Sequence, residues 1–224
     1  MAESGKIPTG ITGLDSLMGG GLVDGSINLV TGKTGTGKSI FSSQFLYNGV
    51  VKYREKGLYI TTEETKENVI RQMKGFGWDF EGLEKKGWIR LMEFEPFDIA
   101  TLTTKMIEVL DSIDAKRVII DSISMFELYM SEAFKIRKAI YKVLQKLREL
   151  GRTVIVTDEI LEESTGLSRF GVIEFMVDTV IILQFLGLAK HKRSLMIRKM
   201  RMSDHSADIH PFEITTAGIK VLNV

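Results

Sequence analysis

A glycine-rich stretch between two predicted elements constrains the fold more than any other feature of the chain. The residues GKTGTGKS (32–39) match the pattern G-x-x-x-x-G-K-[ST], follow the apolar run SINLVT (26–31) and precede a helical pattern over 38–53. In a strand–loop–helix context this pattern is typical of a phosphate-binding loop, because glycine adopts backbone angles forbidden to other residues and lets N–H groups face an anion. A flexible turn before a helix is the alternative.

We therefore predict that this loop binds the phosphates of ATP or ADP together with Mg²⁺. Lys38 would place its charge on the outer phosphates and assist catalysis, and the hydroxyl of Ser39 would bind the metal. The predicted nucleotide contacts are Gly32, Lys33, Thr34, Gly35, Thr36, Gly37, Lys38 and Ser39.

The rest of the chain alternates short β-branched runs with amphipathic helical patterns. Strands are predicted at 26–31, 57–62, 88–93, 117–122, 153–158 and 179–184, and helices at 38–53, 65–75, 98–112 and 132–150. Apolar residues are consecutive in several strands, as in parallel sheets covered on both faces. The tail carries three strand-like runs without helices. We expect one α/β domain over 1–224, with a mostly parallel central sheet flanked by helices and an antiparallel C-terminal extension.

An aspartate follows one of the buried runs. In RVIIDS (117–122), Asp121 comes directly after four residues dominated by apolar side chains. A phosphate-binding loop of this kind needs a carboxylate at the end of another strand to hold the metal. Asp121 is therefore the predicted second metal ligand, although aspartate also commonly caps the turn after a strand.

Two adjacent glutamates end another predicted strand. LYITTEE places Glu63 and Glu64 where the carboxyl ends of parallel strands meet in one crevice. Hydrolysis needs a group that orients or deprotonates water, and one of this pair is the predicted base. The pair could also form the acidic first turn of the following helix. The pattern does not decide which member acts.

Composition excludes several classes of site and partner. The chain has 30 basic and 29 acidic residues, a net charge of +1, three histidines and no cysteine. Disulfides and cysteine-based zinc or thiol chemistry are therefore excluded, and no global charge attracts nucleic acid or a membrane. No apolar run is long enough to span a bilayer. The first residues lack a signal-peptide pattern, and a cytoplasmic location is expected.

The motifs together resemble a known family. PTGITGLDSLMGGGL, GKTGTGKS, TTEE, RVIIDSIS and FGVIEFMVDTVIIL occur in order, as in the KaiC-like branch of the RecA superfamily of ATPases. The resemblance covers almost the whole chain. It implies a RecA-like P-loop fold, ATP hydrolysis with Mg²⁺ and a homo-oligomeric ring, usually a hexamer, with each nucleotide held between neighbours.

The resemblance also carries over individual residues. A late strand of the family sends a Lys-x-Arg pair into the active site of the next subunit, and here the matching residues are Lys199 and Arg201. His205 is implied to reach the nucleotide, and Phe41 is a further predicted nucleotide contact. A solvated strand edge is the alternative for the basic run 190–201.

Two departures bear on function. Some family members carry two fused copies of this domain, and the second copy phosphorylates itself on adjacent Ser and Thr residues. This chain has one copy, with Glu174 and Phe175 at those positions, which weighs against an autokinase.

The function expected from these features is a slowly hydrolysing ATPase whose nucleotide state acts on a protein partner. A DNA-binding relative of the recombinases is the alternative. The segment 159–174 would face the ring channel in such a relative, and its acidic start disfavours DNA. A lysine stripe on the 132–150 helix is either a nucleic-acid contact or a solvated face.

Overall fold

Strands and helices alternate along most of the chain in a computed structural model that describes residues 5–95, 99–130, 132–163, 166–186 and 192–222. The strands are β1 (Lys6–Ile7), β2 (Leu22–Val23), β3 (Ile27–Gly32), β4 (Gly57–Thr61), β5 (Ile89–Glu93), β6 (Arg117–Asp121), β7 (Thr153–Glu159), β8 (Thr179–Phe185), β9 (Arg193–Met200), β10 (Ile209–Thr215) and β11 (Gly218–Val221). The α-helices are α1 (Lys38–Tyr53), α2 (Lys66–Lys74), α3 (Phe80–Lys85), α4 (Ile99–Ile113), α5 (Phe126–Tyr129), α6 (Ala133–Glu149) and α7 (Ile173–Met176). Two short 3-10 helices span Asp15–Met18 and Ile123–Met125.

Nine strands form one mixed sheet in the order β11-β10-β9-β8-β3-β7-β6-β4-β5. The strands from β8 to β5 in this order are parallel to one another, whereas β9, β10 and β11 add to the β8 side as antiparallel neighbours. The small strands β1 and β2 pair separately. This arrangement confirms the predicted mostly parallel sheet with an antiparallel C-terminal extension.

Two apolar cores cover the two faces of the sheet. Successive strand residues point to opposite faces, so Val30 joins one core and Leu29 joins the other. The first core contains Phe45 of α1, and the second contains Leu147 of α6. Burial on both faces is the physical reason for the consecutive apolar residues in these strands.

Most predicted elements lie within one or two residues of the observed ones. The helix expected over 98–112 spans Ile99–Ile113, and Asp98 itself lies outside the described residues. The predicted apolar face of α6 is buried, and Gly151 ends that helix with a φ of +62°. The six-residue helix α3 was not predicted, because fewer than two turns show no clear period.

The aromatic pair Phe76 and Trp78 belongs to the core. Trp78 is buried and stacks on both Phe76 and Tyr47, with ring centroids 4.9 and 5.6 Å apart. The pair therefore anchors the end of α2 in the first apolar core. Within the described part of the chain, no helix combines the length and the hydrophobicity needed to cross a membrane.

Candidate functional site

The glycine loop joins β3 to α1, as predicted. A Cβ on Gly32 would lie 2.2 Å from the carbonyl oxygen of Leu183 on β8, and Gly37 has a φ of +107°. A side chain would clash at the first position and be strained at the second. The parallel neighbour on one side and the entry into α1 on the other thus require these two glycines.

The amine of Lys38 lies across the mouth of this loop. Its Nζ donates hydrogen bonds to the carbonyl oxygens of Gly32, at 2.9 Å, and Lys33, at 3.0 Å. Desolvation lowers the pKa of Lys38, while the carboxylates of Glu159 and Asp121 oppose that shift. A partly desolvated cation held by neutral carbonyls is well placed to transfer its hydrogen bonds to phosphate oxygens.

Acidic residues at and just beyond the end of β7 contact the outer side of the loop. Thr34 Oγ1 donates to the carboxylate of Glu159 at 2.7 Å. Lys33 Nζ forms an ion pair with the carboxylate of Glu162 at 3.2 Å and donates to its backbone carbonyl. These contacts hold the loop from outside, so its backbone conformation is set by β7 as well as by its own glycines.

Asp121 ends β6 inside the crevice. Its carboxylate accepts hydrogen bonds from Tyr59 Oη, at 2.5 Å, and from Thr157 Oγ1. Burial, followed by the negative charge of Asp121, raises the pKa of Tyr59 well above its ordinary value, so the phenol remains a donor. Two hydroxyl groups from neighbouring strands therefore fix the carboxylate in a cavity that Ser39 also lines.

The donors present in this cavity fit Mg²⁺. Ser39 supplies a hydroxyl and Asp121 a carboxylate, and Mg²⁺ prefers oxygen ligands while keeping several waters. In the part of the chain that the structure describes, no three His, Asp or Glu side chains group as a metal centre. The protein would thus contribute few ligands, as is usual where phosphates and water complete the shell.

The two adjacent glutamates have different hydrogen-bond partners. Ser122 Oγ donates to the carboxylate of Glu63. Glu63 is an exposed residue as a whole, but desolvation of its carboxyl group raises the pKa of that group. Glu64 instead accepts a hydrogen bond from Gln72 of α2 at 2.6 Å, and its backbone N–H donates to Thr61 Oγ1. Glu63 is therefore the better-placed base candidate, a distinction the sequence left open.

Lys199 and Arg201 lie near the amino ends of the parallel strands, whereas the loop lies at their carboxyl ends. Lys199 Nζ donates to the carbonyls of Glu174 and Val177 at 2.8 and 2.7 Å. Arg201 lies 3.7 Å from Asp178, at the start of β8, whereas Gly32 is level with Leu183. With a rise of about 3.3 Å per residue, these two levels are about 16 Å apart. Lys199 pairs with Val180, about 10 Å from the level of Gly32, and its amine is held by carbonyls near the amino end of β8. Neither cation is therefore directed at the phosphate loop of the same chain.

The last two predicted nucleotide contacts lie outside the crevice. Phe41 is fully buried in the first apolar core, where its side chain packs rather than faces a ligand. His205 Nδ1 lies 3.0 Å from the carbonyl oxygen of Ser206, whose backbone N–H donates to Leu17. His205 thus lies beside the N-terminal segment, and its contact with a nucleotide stays a prediction for a neighbouring subunit.

Several side chains around the crevice were not singled out from the sequence. Tyr59, Ser122 and Thr157 hold the acidic groups, and Arg193 of β9 donates to the carbonyl oxygen of Gly35 at 3.1 Å. The only available signal was position, because Tyr59 and Thr157 precede strand ends already assigned to the crevice. Their roles depend on the order of strands in the sheet, which the sequence pattern does not give.

Comparisons with known proteins agree with this geometry. The family described as "ATPase: KaiC" matches residues 7–224. The circadian clock oscillator protein KaiC of Synechococcus elongatus is 35% identical over 96% of this chain and 44% of its own length. The same protein of Parathermosynechococcus lividus is also 35% identical, over 96% and 42%. The chain thus spans less than half the length of these curated relatives.

A solved structure is similar over its whole length. The KaiC-like protein of the hyperthermophilic archaeon Pyrococcus horikoshii OT3 is 39% identical, with a TM-score of 0.91, and the match covers 98% of this chain and 100% of that one. The shared α/β fold has a mostly parallel sheet with antiparallel C-terminal strands. From the family match, these relatives and the phosphate loop with its strand-end carboxylates, we conclude that the chain belongs to the KaiC family of ATPases.

Proposed function

We propose that the chain hydrolyses ATP with Mg²⁺ at interfaces between identical subunits of a ring, usually six in this family, and that a protein partner responds to its nucleotide state. One observation supports this proposal above the others. The phosphate loop lies at the carboxyl ends of the parallel strands, and the cations Lys199 and Arg201 lie near their amino ends. Head-to-tail association of copies would bring these two ends together, and such heterologous contacts form a ring when the rotation between copies closes.

The residues of the crevice suggest how water would attack. Glu63 would accept the proton of a water whose oxygen attacks the γ-phosphorus, and the bond to the bridging oxygen breaks to release ADP. The raised pKa of Glu63 makes it a stronger base than an ordinary carboxylate. Lys38 would bind the β- and γ-phosphates. Mg²⁺ held through Ser39 and Asp121 would neutralise phosphate charge when bound.

The cations of the next subunit would complete this site. Lys199 and Arg201 would approach the γ-phosphate, where negative charge accumulates on the transferred group. A cation supplied in this way is worth about 10³–10⁵ in rate for an arginine finger. An isolated subunit would lack this contribution and would turn over slowly.

A nucleic-acid function has one surface in its favour. The groove between α4 and α6, about 760 Å³ in volume, is lined by Lys138 and Lys142 among others. The end of β7 and the segment that follows it do not favour DNA. The acidic residues Glu159 and Glu162 contact the phosphate loop, and Arg169 is paired with Glu127. A DNA-binding channel needs unpaired Lys or Arg, so the switch is the better-supported function.

Steady-state ATP hydrolysis with and without single-stranded DNA tests this choice, with Lys38→Ala as the blank. The proposal predicts a slow Mg²⁺-dependent rate that DNA does not change and that Lys38→Ala removes. Strong, salt-sensitive stimulation by DNA would assign the chain to the recombinase-like class instead. A rate equal to that of the blank would contradict the ATPase assignment.

A further inference from the structure

A continuous set of contacts joins the crevice of one subunit to its cations Lys199 and Arg201. The segment 166–178, here called the coupling segment, begins beside the crevice and ends at the start of β8, where Asp178 lies near Arg201. We propose that this segment links a subunit's own nucleotide site to the cations it presents to the next subunit, with Asp158 as the positioning residue at the crevice end. This inference rests on the proposed function.

The first part of the connection runs from Glu63 to Asp158. Ser122 Oγ donates to Glu63 and accepts the backbone N–H of Ser124 at 3.3 Å. Ser124 Oγ in turn donates to Asp158 Oδ1 at 2.9 Å. Direct hydrogen bonds connect these residues. A displacement of Glu63 by bound nucleotide would therefore change the position of Asp158.

Asp158 is the junction between the sheet and the coupling segment. It is fully buried at the end of β7, next to Thr157, which binds Asp121. Its second oxygen, Oδ2, accepts the backbone N–H of Arg169 at 2.7 Å. A buried carboxylate costs free energy that an apolar residue would avoid, and both oxygens of this one are used to tie the sheet to the coupling segment and to Ser124.

The second part of the connection runs down the coupling segment. Ser168 Oγ donates to the carboxylate of Glu174, and the backbone carbonyl of Glu174 accepts from Lys199. Ile173 is fully buried in the second apolar core, and Arg137 of α6 donates to the carbonyl of Phe170 at 2.9 Å. The segment is thus a packed body that would move as a unit, which is the kind of element able to carry coupling between sites.

Mixed rings can isolate this coupling, because one subunit can carry an inactivated nucleotide site while it keeps both cations. Subunits with Arg201→Ala keep their own phosphate loop, and subunits with Lys38→Ala keep Lys199 and Arg201. Turnover in the mixture then comes from Arg201→Ala sites served by Lys38→Ala neighbours. Adding Asp158→Asn to the Lys38→Ala subunit changes neither the catalytic loop nor the glutamates of the active subunit.

The proposal predicts that Asp158→Asn lowers this rescued kcat at least about fivefold, the lower end of typical coupling between sites. The KM for ATP should stay unchanged, because the active subunit keeps its own loop. Ser168→Ala should act in the same direction and serves if Asp158→Asn does not fold. Asp79→Asn is the control, since Asp79 also accepts a backbone N–H, from Gly82 at 2.9 Å, but does so as the N-cap of α3, outside the coupling segment.

The outcomes separate the coupling from the function on which it rests. Undiminished rescue with both Asp158→Asn and Ser168→Ala, in rings of confirmed composition, overturns the coupling alone. No rescue in the reference mixture, or no assembly with nucleotide, overturns the proposed function and the coupling together. An equal loss with Asp79→Asn would also overturn the coupling, since the effect would then not depend on the segment.

Discussion

Lys38 and Lys199 lie at opposite ends of the parallel strands of one sheet. Lys38 begins α1 just beyond the carboxyl end of β3, whereas Lys199 pairs with Val180 near the amino end of β8, which is parallel to β3. Both lysines are expected at the phosphates during hydrolysis. On the proposed function, one subunit would contribute its loop to one site and its late cations to another.

The loop lysine gives the simplest prediction for the site. Lys38→Ala should lower ATP turnover at least about 100-fold, because its amine is the loop's only side-chain cation held across the phosphate position and one lost charge stabiliser costs about 10²–10³ in rate. Lys52→Ala is the control, since Lys52 lies in the same helix but donates to the carbonyl of Gly10. Near-normal turnover of Lys38→Ala would refute the assigned site.

The two adjacent glutamates should differ in effect. Glu63→Gln should lower kcat by about 10²–10⁴, the usual range for a general base. The carboxylate that Ser122 holds in the crevice would be replaced by an amide, which cannot accept the proton of the attacking water. Glu64→Gln should have a much smaller effect, since Glu64 binds Gln72 of α2. Single-turnover hydrolysis of both variants measures the difference. Equal losses, or a larger loss for Glu64→Gln, would show that the assignment is reversed.

The buried carboxylate of Asp158 predicts a pH dependence of stability. Desolvation raises its pKa from 3.8 to about 6, despite hydrogen bonds from Arg169 and Ser124 that lower it. Because the folded-state pKa is above the unfolded one, this contribution to stability is fully present below pH 3.8 and is lost as pH rises through about 6.

Asp158→Asn serves as the reference that does not titrate. Between about pH 7.5 and about pH 4, the wild-type chain should gain about 2 kcal/mol of unfolding free energy relative to this variant. Urea unfolding without nucleotide or metal measures the difference, and other carboxyl groups cancel in the comparison. A difference that is constant with pH would mean that Asp158 titrates as an exposed carboxylate does.

A buried arginine away from the crevice predicts a large structural effect. Arg117 is fully buried and donates to Glu55 at 2.6 Å, to the carbonyl of Phe45 and to that of Pro8. Arg117→Ala should cost about 3–5 kcal/mol in unfolding free energy, because it leaves these acceptors without their partner. The exposed Arg90 offers the control, and Arg90→Ala should stay within about 0.5 kcal/mol of wild type.

Sequence patterns predicted the parts of the fold that depend on local chemistry. The parallel strands were recognisable because burial on both faces makes them continuously apolar, and α6 because its buried residues recur every three or four positions. The loop Gly32–Ser39 and Asp121 were recognisable because their chemistry requires particular residues at fixed places.

The remaining features depend on long-range contacts. The proposed choice of Glu63 over Glu64 rests on Ser122, about sixty residues away along the chain, and on the direction of α2. The proposed role of Asp158 depends on the segment that returns to contact it. Phe41 follows the loop so closely in sequence that it was predicted as a contact, yet the helical turn directs it into the core.

Each active site is proposed to be shared between two subunits, and mixing two inactive variants is the sharpest test of this arrangement. Lys38→Ala lacks the loop cation and Arg201→Ala lacks the cation offered to the neighbour, so each alone should show little turnover. When the two are mixed and allowed to assemble with ATP, the account predicts that turnover returns in proportion to the fraction of correctly ordered neighbours. Mixed rings that remain as inactive as either variant alone would contradict it.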